Sequence, residues 1–291
     1  MTEPFYGLLP STPEGIAQCQ AGFKVQAFTA ADVPGWEERL ETRTRLLLSK
    51  MRKQNQRRND CEGNALANGA EAQHQYITGD FVQFSDTYSY QASERVMGRS
   101  SVGRDSGASI ESGVIVRTEG IKALGVKPGI PLEQNWPYEP YERDVARFET
   151  RAKSVQIEDT YVAEHGPLPP FNQMLISMAT GGVGHIGTFW PFRETQFEGF
   201  RLMDTLPTGG GGHATCIIGG LRFSGIWKMA VWNSHNYGAY LMSERAYETA
   251  QNRQWQPFGG YLIMPDKPVE RYHDRLASGG GYFTPRNQGV A

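Results

Sequence analysis

The sequence has few cysteines and no long apolar run, and both features exclude whole classes of protein. Its 291 residues include only three cysteines, too few for a framework of disulfide bonds: Cys19, Cys61 and Cys216. No stretch approaches the roughly 20 apolar residues that cross a bilayer, and the amino terminus lacks the charged and apolar regions of a signal peptide. We therefore expect no membrane partner, no secretion and a reducing compartment.

The chain also lacks an excess of charge of either sign. Its formal net charge is −2 and its basic cluster at 50–58 is short and interrupted, which excludes the electrostatic surface of a nucleic-acid-binding protein. The four glycines at 209–212 are not followed by Lys-Ser or Lys-Thr, so a flexible loop is favoured over a phosphate-binding loop. No group of Cys and His residues has the spacing of metal ligands. We predict no nucleic acid, no metal ion and no cofactor.

What the chain does contain is helical periodicity in its first half and short β-rich runs in its second half. Helices are predicted over 36–52, 61–75, 109–124 and 171–179, with one more near 143–153. Strands are predicted over 183–190, 213–219, 227–232, 238–242 and 259–264. Helices first and strands later indicate an α+β protein with two segregated lobes.

These elements divide the chain into four parts. They are an N-terminal arm with a lead-in helix (1–50), a helical lobe (51–180), a β-rich lobe (181–267) and a C-terminal tail (268–291). Residues 1–35 have weak periodicity, so we interpret them as an extended arm that wraps the body. The arm and the glycine-rich tail are the predicted contacts for any assembly partner.

Cys61 follows a polar, glutamine-rich loop and opens a helix of unusually small residues, among them Gly63 and Gly69. Glycine costs roughly 1 kcal/mol relative to alanine inside a helix, and this cost indicates close packing in the middle of a domain. The N–H groups of a helix's first turn favour an adjacent anion, which lowers the pKa of a thiol. The pattern predicts a nucleophile at Cys61, whereas Cys19 and Cys216 are typical of small buried hydrophobic residues.

Four separated blocks of sequence bear on what this thiol does. They are the glutamine-rich loop with Cys61 and its helix; Asp105-Ser106-Gly107-Ala108-Ser109-Ile110 with Trp136-Pro137-Tyr138; Gly212-His213-Ala214 with Gly219-Gly220; and Trp232-Asn233-Ser234 with Gly238 and Gly259-Gly260-Tyr261-Leu262. In this order they resemble the papain-like cysteine peptidases, particularly the divergent bacterial and bacteriophage forms, over about residues 50–265. The resemblance implies a helical lobe around a central helix, a C-terminal antiparallel β-barrel-like lobe, and an active site in the cleft between them.

The resemblance also implies a mechanism. Cys61 would be the nucleophile, held as a thiolate by protonated His213, and Asn233 would orient the imidazole. The activity implied is hydrolysis of a peptide or isopeptide bond in a peptide or protein substrate, without a cofactor. His185 is the competing imidazole, but its segment is similar to the strand that precedes the family's histidine loop, and no Asn or Asp follows at a suitable spacing.

The chain departs from the family at two places. The family places an oxyanion-hole glutamine six residues before the cysteine, and here Asn55 has that spacing, between Gln54 and Gln56. A loop shifted by one residue would bring in a glutamine, and Gln56 is favoured slightly over Gln54. The family's Asn-Ser-Trp is replaced by Asn-Ser-His ending at His235, which implies weaker shielding of the histidine from water.

Two other functions stay open. One is a papain fold kept as a non-catalytic structural component, for instance of a phage particle, and the other is an amidase or endopeptidase that acts on peptidoglycan. The expected location is accordingly the cytoplasm of a bacterial or host cell, or a phage virion. Replacement of Cys61 by alanine distinguishes a catalytic from a structural role.

Overall fold

The computed structural model describes residues 7–25, 27–53, 56, 58–100, 102, 106–138, 141–157, 163–235 and 238–265. The helices in these ranges are α1 (Pro13–Ala21), α2 (Trp36–Lys50), α3 (Cys61–Thr78), α4 (Asp86–Val96), α5 (Ile110–Thr118), α6 (Val145–Ser154), α7 (Phe171–Ala179) and α8 (Glu244–Gln251), with a 3-10 turn at Lys122–Leu124. The strands are β1 (Ala163–Pro167), β2 (Val183–Trp190), β3 (Thr195–Phe197), β4 (Phe200–Met203), β5 (Gly211–Phe223), β6 (Ile226–Asn233), β7 (Gly238–Met242) and β8 (Gly260–Pro265). The predicted tail (268–291) lies outside the described residues.

Most of the predicted elements are confirmed, with shifted ends. Helices α2, α3, α6 and α7 correspond to predicted helices, and strands β2, β5, β6, β7 and β8 correspond to the five predicted strands. The predicted helix over 109–124 is wrong beyond Thr118. Gly120 has a φ of +73° and turns the chain back, so that Ile121 forms a bridge with Val126.

Three helices were not predicted: α1, α4 and α8. Helix α1 lies inside the arm that we expected to be extended, and the Thr12 side chain caps it by accepting from the Gly15 N–H. Helix α4 is capped by Ser85, and nearly all of its side chains are buried although most are polar. A helix that is buried all round has no amphipathic stripe, which is why periodicity does not reveal it.

The strands form one eight-stranded sheet in the order β1-β8-β2-β5-β6-β7-β4-β3. Neighbouring strands are antiparallel except for β4 and β7, which are parallel. The sheet has two edges, β1 and β3, so it is an open mixed sheet. The α+β class is confirmed, but the β-barrel-like lobe is wrong, because the edge strands are not paired with each other.

Helix α3 runs between α4 and the sheet, and its glycines allow this close approach. A Cβ at Gly63 would collide with the Asp86 carbonyl oxygen on α4, and a Cβ at Gly69 would lie 3.2 Å from the Cys216 sulfur on β5. The prediction of a tightly packed central helix is therefore confirmed. No helix within the described ranges is both long enough and apolar enough to cross a bilayer.

Helix α2 also packs against the sheet. It packs against β5 and α7, and its Thr44 hydroxyl accepts from the Gly220 N–H at 2.9 Å. The glycine pair of β5 gives the helix room, since a Cβ at Gly219 would collide with Thr44. Strand β5 is thus covered by α3 and α2, and its first residues lead into the candidate site.

Candidate active site

Strands β5 and β6 bring His213 and Asn233 together. His213 is the third residue of β5, Asn233 is the last residue of β6, and the two strands pair antiparallel. The His213 Nε2 lies 2.8 Å from the Asn233 Oδ1, and both side chains are fully buried. A hydrogen bond from this ring nitrogen to a fixed amide oxygen orients the imidazole.

Cys61 begins α3, and its sulfur lies beside the strand that carries His213. The backbone N–H groups of Gly7 and of Ala214, the residue after His213, lie near this thiol, and both act to lower its pKa. Cys61 is fully buried. The fold therefore brings the three residues named from the sequence into one buried region where helix α3 meets the sheet.

Burial controls the charge of the thiol and the imidazole. Desolvation raises the pKa of Cys61 to about 12, and the Asp60 and Glu62 carboxyl groups act in the same direction. Desolvation also lowers the pKa of His213 to about 3. Both groups are consequently neutral at neutral pH. The expected thiolate is wrong for this arrangement, because desolvation outweighs the field of the helix terminus.

Asp60 occupies the N-cap position of α3 without capping it. Its carboxyl group instead accepts from the hydroxyl groups of Tyr138 at 3.2 Å and Tyr141 at 2.7 Å. Burial raises the pKa of Asp60 to about 7, and the neighbouring Asp86 carboxyl group adds to the effect. Asp60 thus joins the start of α3 to the segment around Tyr141.

Glu62 and His185, the competing histidine, form a second buried pair. The His185 Nε2 lies 3.5 Å from the Glu62 Oε1, and both side chains are almost completely buried. Burial raises the pKa of Glu62. His185 is therefore a partner of the acid that follows Cys61, and this pair joins α3 to β2 away from the His213–Asn233 hydrogen bond.

Two aromatic rings cover His213, and the sequence did not identify one of them, Trp190. The Trp190 ring lies 4.7 Å from the His213 ring, and the His235 ring is stacked on His213 at 4.4 Å with an interplanar angle of 23°. The expectation of weaker shielding is wrong, since His213 is fully buried. Trp190 comes from β2, and the register that pairs Trp190 with Gly211 cannot be read from the sequence.

Gln56 lies against the residue that follows Asn233. Its N–H donates to the Ser234 carbonyl oxygen at 2.7 Å, and its side-chain oxygen accepts from the Ser234 hydroxyl at 2.7 Å. Its amide nitrogen donates to the Arg58 carbonyl oxygen. Gln56 therefore ties the loop before Cys61 to the end of β6. Gln54, the other candidate for the oxyanion hole, lies outside the described residues.

A segment of the arm occupies the space between the start of β5 and the loop before α5. We call it the cleft segment (residues 7–11). The Leu8 N–H donates to the Gly212 carbonyl oxygen at 3.1 Å. On the other side, the Leu9 N–H donates to the Ala108 carbonyl oxygen at 2.9 Å, and the Ala108 N–H donates to the Gly7 carbonyl oxygen at 3.0 Å. The segment is therefore paired on both sides, and its first residue, Gly7, lies near Cys61.

Side chains of the cleft segment are also held. Leu8 is 4% exposed and belongs to the same apolar cluster as Ile110 and Phe258. Ser11 donates to the Phe258 carbonyl oxygen at 2.8 Å and lies 2.7 Å from an oxygen of Glu111. The segment is therefore fixed at both ends.

Glycines make room for the cleft segment, and they are the sequence signal that was missed. A Cβ at Gly212 would collide with the Leu8 carbonyl oxygen, and a Cβ at Gly187 would lie 2.5 Å from the Leu8 Cδ2. Gly211 and Gly212 begin β5, so the prediction of a flexible loop over 209–212 is wrong at these two residues. Glycine here reflects close approach of another stretch of chain.

Within the described part of the chain, no three His, Cys, Asp or Glu side chains are grouped as metal ligands would be. All three cysteines are free and buried. The groups in this region that could take part in chemistry are a buried thiol and an imidazole oriented by an amide oxygen.

Comparisons with known proteins identify the fold. No protein-family model matches the sequence, and no curated protein sequence matches it. Among solved structures, the ragweed pollen allergen Amb a 11, a cysteine protease in its proform, is similar with a TM-score of 0.51 and 16% identity. That match covers 76% of this chain and 63% of the ragweed protein, so the chain spans less than two thirds of that relative.

Two further solved structures are similar over nearly their whole length. The cysteine protease CMS1MS2 of Carica candamarcensis, in complex with E-64, has a TM-score of 0.50 and 15% identity over 77% of this chain and 96% of its own. The bromelain protease of Ananas comosus, in complex with the E64 inhibitor, has a TM-score of 0.51 and 12% identity over 74% and 93%. At these identities the likeness shows the fold: the chain has a distant papain-like fold.

Proposed function

We propose that this chain is a papain-like cysteine peptidase that hydrolyses peptide or isopeptide bonds with Cys61, His213 and Asn233. One observation carries the proposal: the His213 imidazole is bound to the Asn233 oxygen at 2.8 Å in a buried site, and the Cys61 thiol lies near Ala214, the next residue of the same strand. A thiol, an imidazole and an orienting amide in this order are the groups of a thiol hydrolase.

In the proposed reaction, His213 removes the thiol proton of Cys61, and the sulfur attacks the carbonyl carbon of the substrate. The imidazolium then donates this proton to the leaving amine, which departs and leaves a thioester on Cys61. Water, deprotonated by His213, attacks the thioester and releases the acid and the free thiol. Asn233 keeps the imidazole in one orientation through both steps.

The oxyanion of the tetrahedral intermediate needs hydrogen-bond donors. We assign this role to the Cys61 backbone N–H together with a glutamine side chain from the preceding loop, Gln56 or Gln54. The Gln56 amide nitrogen donates to Arg58, so this role requires the loop to move when substrate binds.

The cleft segment supports a peptide as the substrate. It is itself a stretch of polypeptide, with backbone hydrogen bonds to Gly212 on β5 and to Ala108 before α5, and its Leu8 is buried. While the cleft segment occupies this position, no substrate can bind there. We therefore propose that the chain is a peptidase in a closed form, and that the cleft segment must leave before hydrolysis begins.

The experiment compares the wild type, Leu8→Asp, and Leu8→Asp combined with Cys61→Ala, all as full-length chains. A buried aspartate costs several kcal/mol, so Leu8→Asp favours release of the segment. We expect it to raise both alkylation of Cys61 by iodoacetamide and hydrolysis of a peptide library at least tenfold, and Cys61→Ala to abolish both. E-64, the inhibitor bound in the Carica and Ananas structures, is expected to label the same thiol.

The matched control is Val33→Asp, an equally buried apolar residue in the segment before α2. If Val33→Asp raises alkylation as much as Leu8→Asp does, general destabilisation is the cause and the closed form is rejected. If Leu8→Asp exposes the thiol but neither peptides nor peptidoglycan are cleaved, the peptidase is rejected.

A second candidate function is a structural component with a papain fold and no turnover. The complete burial of Cys61 and His213 favours it. It predicts that Cys61→Ala leaves every measurable function unchanged, whereas the peptidase predicts complete loss.

A further inference from the structure

The His235 ring lies flat on the ring of His213. Their centroids are 4.4 Å apart with an interplanar angle of 23°, and the backbone N–H of His235 lies 3.3 Å from the Asn233 oxygen that also binds His213. Trp190 packs against both rings, at 4.7 Å and 6.1 Å. Asn233 and Trp190 thus each contact both residues of the stack. His235 is half-buried, whereas His213 is fully buried, so the outer ring of the stack is the one nearer to water.

Two imidazoles at this distance cannot be charged independently. Each has an ordinary pKa near 6.5, so either ring can hold the proton that the proposed mechanism needs on His213. Two positive charges about 4 Å apart in a buried site repel strongly, and groups coupled in this way titrate as a pair. Burial lowers the pKa of His235 to about 4 and of His213 to about 3, and the charge of His235 is a cause of the shift at His213.

Other titratable and charged groups face the pair from the surrounding elements. Cys61 lies at the start of α3, Tyr240 packs on Trp190 from β7, and the Arg201 side chain of β4 lies over the Tyr240 ring at 6.0 Å. Arg201 is paired with Glu194 at 2.9 Å, which offsets its charge. Lys53 packs beside Gly238 at the start of β7. His235 differs from all of these, because it alone is stacked on the His213 ring.

We infer that His235 is a positioning residue of the proposed site, which holds the His213 ring by stacking and competes with it for one proton. When His235 carries the proton, His213 cannot act as the acid that protonates the leaving amine. This inference rests on the proposed function for its consequence, but the coupling itself can be measured without turnover. If His235 had only a structural role, its replacement would change the packing around His213. The proton affinity of His213 would then not depend on the charge at position 235.

The test is a series at position 235 in the full-length chain: His235→Phe, wild type and His235→Arg. Phenylalanine keeps a flat neutral ring, and arginine places a permanent charge on a planar group at the same position. The proton affinity of His213 is measured from the pH dependence of its imidazole C–H resonances by NMR. We expect it to be about tenfold higher in His235→Phe than in the wild type, and lowest in His235→Arg.

Equal titration of His213 in all three proteins would overturn the inference. So would shifts of the same sign in His235→Phe and His235→Arg, because these would follow the loss of packing and not the charge. His74→Phe, at a partly buried histidine of α3, is the control and should leave His213 unchanged. If the series follows the charge but no variant hydrolyses peptides after Leu8→Asp, then the proposed function fails while the coupling stands.

Discussion

On the α3 side of the site, Cys61 is surrounded by buried carboxyl groups, whereas on the sheet side His213 is surrounded by aromatic rings. Asp60 and Glu62 flank the thiol in the chain, and burial raises the pKa of both. On the sheet side, Trp190, Phe192 and Tyr240 form a cluster of rings 4.6–5.6 Å apart that continues to His213. The Asp60 carboxyl group next to Cys61 in the chain can therefore titrate near neutral pH, whereas the rings of Trp190, Phe192 and Tyr240 do not.

This difference has physical consequences. A buried carboxyl group is stable only while it is protonated or hydrogen-bonded, so the α3 side responds to pH. An aromatic cluster carries no charge and responds to changes of volume. Three substitutions, with effects from large to small, separate the two kinds of response.

The largest expected effect is on the sheet side, from Trp190→Ala. The ring is 5% exposed and contacts Phe192, His213 and Tyr240, so its removal leaves a cavity beside the imidazole. We expect the free energy of unfolding, measured by urea denaturation, to fall by about 3–5 kcal/mol at every pH. Trp255→Ala, at a half-exposed tryptophan, is the control and should change it by less than about 0.5 kcal/mol. A similar loss in both variants would show that the cluster has no special role.

A smaller effect is expected on the α3 side from Gly63→Ala. The added Cβ would collide with the Asp86 carbonyl oxygen and lie 2.7 Å from the Tyr90 backbone nitrogen. Alanine favours a helix by about 1 kcal/mol over glycine, but overpacking costs about 1–3 kcal/mol. We therefore expect a net loss of about 1 kcal/mol in urea denaturation. Gly209→Ala, where a Cβ has open space, should not destabilise the chain, and a gain at Gly63 would refute the tight packing of α3 on α4.

The smallest effect is a pH dependence at Asp60. Its pKa of about 7 lies above the usual value, so between about pH 4 and 7 the folded chain holds a proton that the unfolded chain has released. Stability contributed by this group is therefore lost as the pH rises through that window. Asp60→Asn cannot titrate and should reduce the fall in unfolding free energy between pH 6 and 7 by about 1 kcal/mol.

The control for Asp60→Asn is Asp32→Asn. The Thr29 side chain and backbone N–H donate to the exposed Asp32 and lower its pKa, so Asp32 is charged in both states above pH 5. Its replacement should leave the slope between pH 6 and 7 unchanged. If the unfolding free energy of the wild type and of Asp60→Asn changes equally with pH, Asp60 is ionised in the folded chain.

Much of the fold could be predicted from the sequence because its signals are local. Ser109 caps α5 as predicted, by accepting from the Ser112 N–H, and β2 and β7 have the predicted bounds. Helix α4 could not be predicted, since its buried polar residues carry no periodic pattern. The short strands β3 and β4 depend on pairing with β7, a partner distant in the chain.

The candidate site was predicted through resemblance, and the structure adds what the motifs do not contain. The His213–Asn233 hydrogen bond joins two residues of the quoted blocks. Trp190 and the cleft segment lie outside these blocks, and nothing in Gly7-Leu8-Leu9 distinguishes it from any other arm. Only its pairing with Gly212 and Ala108 places it between β5 and the loop before α5.

By itself, the sequence determined the order of helices and strands and the side chains available for chemistry, since caps, glycines and alternating patterns act between near neighbours in the chain. The tertiary structure alone decided that the thiol is neutral, that the imidazole is stacked on a second histidine and that the cleft is occupied. Desolvation and packing depend on residues that are far apart in the chain and meet only when it folds.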